Sequence, residues 1–290
     1  MQSLWMLASS LSFAVMAVFV KLGADEFSTA ELVFYRSVAT LAGSWAMLAR
    51  AGQSVRTRRL GMHVHRGVSG FVSLFMFFHA LTILPVATAM TLNYTSPVFL
   101  ALLLTGLARE RPGVRLSATV LLGFVGAVLL LRPVFAGDQL FPGLVGLGSG
   151  AVAAIAYWNV RELVQQDEPE ARVVFYFALF SMLGALVWML PARWTPLALD
   201  NVWILLGVGV MGTLGQVTLT RAYGHGSPLA AAALSYSGIV FSSVIAMVVF
   251  DDALPWLAWL GIALIVAAGI IAVQLTPSSR AEPPPQITND

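Results

Sequence analysis

LPVATAMTLNYTSPVFLALLLTGLARERP, from Leu84 to Pro112, and SPLAAAALSYSGIVFSSVIAMVVFDDALP, from Ser227 to Pro255, decide how this chain folds. Each holds an apolar run of the length that crosses a hydrocarbon core, which takes about 20 residues. Set side by side, they keep one register. Pro85 falls on Pro228, Ala87 on Ala230, Leu92 on Leu234, Tyr94 on Tyr236, Val98 and Phe99 on Val240 and Phe241, and Glu110 on Asp252. Two copies of one membrane-length segment in one chain point to an internal repeat.

The register holds outward from these stretches. Val33, Phe34 and Tyr35 match Val174, Phe175 and Tyr176, Gly43 matches Gly184, and Gly126 matches Gly269. Ten apolar stretches fill the chain, at residues 3–22, 28–49, 66–84, 86–107, 115–132, 142–164, 171–190, 201–222, 228–250 and 255–275. The expected fold is therefore an all-α membrane protein of ten transmembrane helices, divided into five-helix repeats at 3–137 and 142–276. An odd number of spans per repeat makes the second enter the membrane upside down. Inverted repeats can exchange conformations and open a central cavity to each side in turn, so secondary transport by alternating access is the expectation. Residues 277–290, polar and carrying Pro283, Pro284 and Pro285, are expected to form a disordered tail.

Composition agrees and excludes rivals. Of 290 residues, 58% are apolar and 10% charged, against about a quarter charged in soluble domains. A net charge of +2 gives no reason to expect a nucleic-acid partner. With no Cys, disulfides and thiolate sites are excluded, and no metal-ligand spacing such as HExxH occurs; no cofactor is expected. The first span lacks a basic n-region and a clear cleavage site, so it reads as a retained helix. Monomer and homodimer both remain open.

Orientation follows from the Lys/Arg bias of short loops. One side receives Arg50, Arg56, Arg58, Arg59, Arg66, Arg109, Arg111, Arg115, Arg161, Arg172, Arg221 and Arg280; the other receives Lys21, Arg132 and Arg193. Both termini are expected to be cytoplasmic. Trp188, Trp194, Trp203, Trp256 and Trp259 then form an outer aromatic belt.

The two quoted stretches, with AIAYWNVREL at 154–163, resemble the EamA repeat of the drug/metabolite transporter superfamily. The resemblance runs from Leu4 to Thr276. Among subfamilies the chain is most similar to YddG-type amino acid exporters. That similarity implies a bacterial inner-membrane protein that moves aromatic and other neutral amino acids outward. Another amphipathic metabolite, such as a nucleobase, an S-adenosyl compound or a cationic drug, is the alternative cargo, and a non-transporting receptor is the alternative class.

Candidate substrate-binding residues are the polar and aromatic groups that lipid would not tolerate. Tyr94 lies about 12 Å below one end of its span and Tyr236 equally far from the opposite end of its own, at 1.5 Å per residue. Each hydroxyl needs a partner, either substrate or a neighbouring helix. Asn93, Asn159 and Gln216 add amides, while Tyr157 and Trp158 form either a cavity wall or part of the inner belt. His79, an ionisable group within a span, is either a functional site or a neutral, hydrogen-bonded side chain. Arg36, Pro97 and Arg221 are gating or structural candidates; Arg36 must be paired or face water, and its repeat counterpart is Phe177. Glycines at 67 and 70, 123 and 126, 146 and 150, and 207, 209, 212 and 215 would let helices approach closely.

Two negative features sharpen the expectation. No acid lies deeper than Glu31, near the end of its span, so proton exchange through a central carboxylate is disfavoured. Gly67-Val68-Ser69-Gly70 resembles an intramembrane serine protease motif, but His79 is ten residues and about 15 Å away along the helix, too far to activate Ser69. An enzyme is not expected.

Overall fold

The computed structural model describes residues 2–84, 86–106, 113–133, 139–190, 194–198, 201–249 and 254–275. Pro85, Arg109, Glu110, Arg111, Arg193, Asp252, Arg280 and the tail from 277 lie outside them. The described elements are α1 (Trp5–Gly23, after a short 3-10 turn at Gln2–Leu4), α2 (Thr29–Arg50), α3 (Leu60–Ile83), α4 (Val86–Asn93), α5 (Ser96–Gly106) and α6 (Val114–Leu131). They continue with α7 (Leu140–Gln165), α8 (Glu170–Met189), α9 (Val202–His225), α10 (Pro228–Ser235), α11 (Ser237–Val249) and α12 (Trp256–Leu275).

Among the described residues, nine helical stretches are long and apolar enough to cross a membrane. The helix α3 adds a further 24-residue helix over the expected third span. Leu102, Val125, Val187, Leu206, Val210, Trp256 and Ile270 stand exposed on the outside of the bundle. Apolar exposure on this scale suits contact with lipid rather than water.

The most extensive helix contacts are α3 with α7, α6 with α12, α1 with α9, and α2 with α8. Every one joins the first half of the chain to the second. Exchanging the halves turns α1–α9 into α7–α3 and leaves α2–α8 and α6–α12 unchanged, so the packing carries the symmetry that the sequence register implies. Small residues make these contacts possible: a Cβ on Gly126 would stand 2.8 Å from the Gly261 carbonyl oxygen, and one on Gly261 would stand 2.6 Å from that of Gly126. Close backbone approach of this kind replaces the hydrophobic drive that lipid cannot supply.

Two local features depart from the simple ten-rod expectation. The fourth and ninth stretches are each broken in the middle, at Tyr94–Thr95 between α4 and α5 and at Tyr236 between α10 and α11. In the first, Pro97 has no N–H to offer the Asn93 carbonyl, so the helix restarts, with Val98 and Phe99 both donating to the Thr95 carbonyl. The second is that α3 begins at Leu60, six residues before the expected start of its span. His63, His65 and Arg66 therefore belong to a helix and not to the basic loop. His63 and Arg66 are buried, at 0% and 3% exposure.

Candidate functional site

At the junction of the halves, α1, α2, α3, α4, α7, α8 and α9 enclose a cavity of about 290 Å³. The helix α3 lines it with Arg66, Gly70, Ser73 and Phe77, a stripe at helical spacing. Arg36 enters from α2, Phe13 and Met16 from α1, Met90 and Asn93 from α4, Tyr157 from α7, Phe177 from α8 and Gln216 from α9, with Tyr94 at the helix break. A second cavity of about 200 Å³ shares Phe13, Met90, Asn93, Tyr94 and Tyr157 with the first and continues past Ser9, Ser10, Ser235 and Ser242. A third, of about 240 Å³, shares Met16 and Arg36 and reaches Ser28 and Thr29 at the start of α2. Through these shared residues the three adjoin one another, between the start of α2 and the helix breaks.

Internal hydrogen bonds hold the wall. Ser73 donates to the Ser149 carbonyl at 2.9 Å, and the Asn93 amide donates to the Ser149 hydroxyl at 3.0 Å, so α3, α4 and α7 meet at one polar point. The Arg36 guanidinium lies 5.6 Å from the Phe13 ring centroid and that of Arg66 lies 4.3 Å from Phe177. A guanidinium over an aromatic ring gains electrostatic attraction without using its N–H donors. Arg66 Nε and Nη1 and Gln216 Nε2 are buried without a hydrogen-bond partner. Among the described residues that line this cavity there is no Asp or Glu.

The structure brings together Arg36, Asn93, Tyr94, Tyr157 and Gln216 of the sequence-derived candidates and leaves the others apart. Asn159 is spent on His65, 2.8 Å from its Nδ1. Trp158 packs against the hydrophobic core around Leu163 and Tyr223. Tyr236 is fully buried among Ala127, Leu130, Ile239 and Ile265 rather than on the central cavity. His79 stands on the exposed side of α3. Pro97 is buried at the start of α5. Arg221 lies over Trp5 at 4.7 Å and 3.8 Å from Glu170. Ser69 is buried and donates to the Arg66 carbonyl.

Sequence reading missed Arg66, which counted there as a loop charge. The signal was present: Arg66, Gly70, Ser73 and Phe77 follow at intervals of four, three and four residues, a helical face that only starts to make sense if the helix begins upstream.

Beyond the cavity, each half grips a loop of the other. On the face where α2 begins, Ser28 and Glu31 form a capping box, and the Glu31 carboxylate also accepts from the Thr195 N–H at 2.6 Å and the Thr195 hydroxyl at 3.2 Å. Trp194 packs edge-on against Phe34 at 5.2 Å. On the opposite face, Glu168 accepts from Thr57 at 2.6 Å and Arg172 at 2.9 Å and pairs with His63 at 3.3 Å, while Arg172 and Tyr176 donate to the Ser54 and Val55 carbonyls. Burial raises the Glu168 carboxyl, but these three partners outweigh it and hold it below its ordinary value. Tyr35 and Tyr176, equivalent in the repeat, thus sit at equivalent latches.

Comparison with known proteins agrees with this architecture. Residues 1–132 and 141–274 match the EamA-like transporter family. The chain is 31% identical over 267 residues to the pseudopaline exporter CntI of Pseudomonas aeruginosa (strain UCBPP-PA14), covering 91% of this chain and 90% of that one. It is 29% identical over 292 residues to the riboflavin transporter of Vibrio cholerae serotype O1, covering 97% and 95%. An S-adenosylmethionine uptake transporter of Rickettsia bellii is 22% identical over 252 residues, covering 86% and 84%. A solved crystal structure shares the fold at a TM-score of 0.83 and 21% identity, covering 95% of this chain and 98% of its own. The chain belongs to the EamA-like transporter family and is an integral multi-pass protein of the bacterial inner membrane.

Proposed function

We propose that this transporter exports amino acids and related small amphipathic metabolites by alternating access, without proton exchange through a carboxylate. The observation that carries the reading is the central cavity, lined from both halves of the chain by aromatic rings, amides and two guanidiniums and by no acid among the described residues. Ring faces suit an apolar side chain, and the amides and guanidiniums suit an amino-acid head group. A cationic cargo is disfavoured, because Arg36 and Arg66 would repel it. The latches support alternation, since they join the two halves at opposite faces of the bundle. Ten spans with α3 as the third, and cytoplasmic termini, complete this reading. Outward direction rests on the sequence resemblance to YddG-type exporters and on the likeness to the pseudopaline exporter.

The test is flux through the purified protein in liposomes, with radiolabelled amino acids, nucleobases, S-adenosylmethionine and an organic cation against one preparation. Amino-acid flux that a pH gradient cannot drive uphill is the expected result. Flux of another cargo alone would replace the substrate class, and no flux at all would favour a non-transporting receptor.

A further inference from the structure

The central cavity holds two positive charges and, among the described residues that line it, no acid to balance them. Arg66 is 3% exposed, lies wholly inside the bundle, and keeps Nε and Nη1 without a partner. Arg36 lines the same cavity, and no ion pair links either guanidinium to an acid among the described residues. A buried charge without a counterion is costly, and a transporter that retains two needs a compensating return from its cargo.

The surroundings fix how that return would arise. Gly212 lies behind Arg36 and Phe13 under it; Gly70 and Phe177 do the same for Arg66. Each guanidinium lies over an aromatic ring and offers a fork of N–H donors that matches a carboxylate. The third orphaned group of the wall, Gln216 Nε2, is also a donor. The buried, unpartnered groups of this wall are thus all donors. A neutral zwitterion would bring one carboxylate to two cations, and a cargo with a second carboxylate would supply a partner to each.

We infer that the natural cargo carries at least two carboxylates, one for Arg36 and one for Arg66, on a body that rests against Tyr94, Tyr157 and Phe77. This rests on the transport reading above and narrows it from neutral amino acids to carboxylate-rich ones. A phosphate ester would meet the same charge, so inorganic phosphate is one arm of the test.

The test compares near-isosteric cargoes that differ in one charge. Counterflow in proteoliposomes is measured with L-glutamate, L-glutamine, L-phenylalanine and inorganic phosphate, for the full chain and for R36Q, R66Q and R66K. Glutamate is expected to half-saturate at about tenfold lower concentration than glutamine, the size of one charge-assisted hydrogen-bond set. That preference should collapse in R36Q and R66Q and survive in part in R66K, whose retained charge separates lost recognition from lost folding. Equal or better use of glutamine or phenylalanine would overturn the inference while leaving the transport reading intact. Preference for phosphate would overturn the carboxylate assignment. Absence of flux for all four, together with absence across the wider panel, would overturn both.

Discussion

The rings of Tyr94 and Tyr236 meet at 6.2 Å between centroids, inclined by 37°, each at the break of its own span. They are equivalent by repeat but not by environment. Tyr94 lines both inner cavities, whereas Tyr236 is 0% exposed and its hydroxyl has no partner. Tyr94→Phe should therefore reduce flux severalfold at normal expression. Tyr236→Phe should affect flux less and raise stability by up to about 1 kcal/mol, because it removes a buried, unsatisfied hydroxyl. Counterflow and thermal melting read the two effects; equal flux losses would return both phenols to one role.

The contact between α6 and α12 depends on two glycines, so Gly261→Ala should destabilise the protein by about 1–3 kcal/mol, the usual cost of overpacking. Gly61→Ala is the control. Nothing lies within 4 Å of a Cβ at that helical position, and alanine is the better helix former, so its melting temperature should hold or rise.

The latches should act in opposite directions. Glu31→Gln weakens the grip on Thr195, and Glu168→Gln weakens the grip on Thr57 and Arg172. Removing about 1.4 kcal/mol from one latch shifts a two-state balance about tenfold. The chain has no cysteine, so a single Ser73→Cys on the cavity wall reports access. Its labelling should speed up from the α2-start side in the first variant and from the opposite side in the second. Identical effects in both would argue against alternation.

Acid should loosen the Glu168 latch. The Glu168 carboxyl, in the loop between α7 and α8, is held below its ordinary value of 4.5 in the folded protein. The folded state then binds fewer protons than the unfolded one, so stability is full above this value and is lost as pH falls. Melting temperature should begin to fall below about pH 4.5, and Glu168→Gln should flatten this limb. A flat acid limb in the unmodified protein would count against the latch.

Topology is open to a direct measurement. Gln53→Cys and Leu197→Cys, both exposed and in loops at opposite ends of α2, should label from opposite sides of intact cells, with Gln53 cytoplasmic. Reversed labelling would invert the assignment.

How far the sequence reaches is visible in particular residues. Segments near 20 apolar residues have few places to go other than lipid, because unsatisfied backbone is too costly there. Hydropathy alone therefore yields the helical membrane class, and a register from Val33 to Gly269 yields the repeat. Both depend on properties spread along the chain, so no single contact can mislead. The site is different, because it depends on where individual side chains point. Arg66 moved from an expected loop into the cavity, since a helix starting at Leu60 carries it into the bundle. Asn159 was taken up by His65, and His79 turned to the exposed side of the same helix that presents Arg66 inward. Helix rotation, the breaks at Tyr94 and Tyr236 and the choice of partners are set by packing between the halves. The sequence by itself determined that this chain crosses the membrane as two related halves; only their packing against each other decided which polar groups meet in the middle.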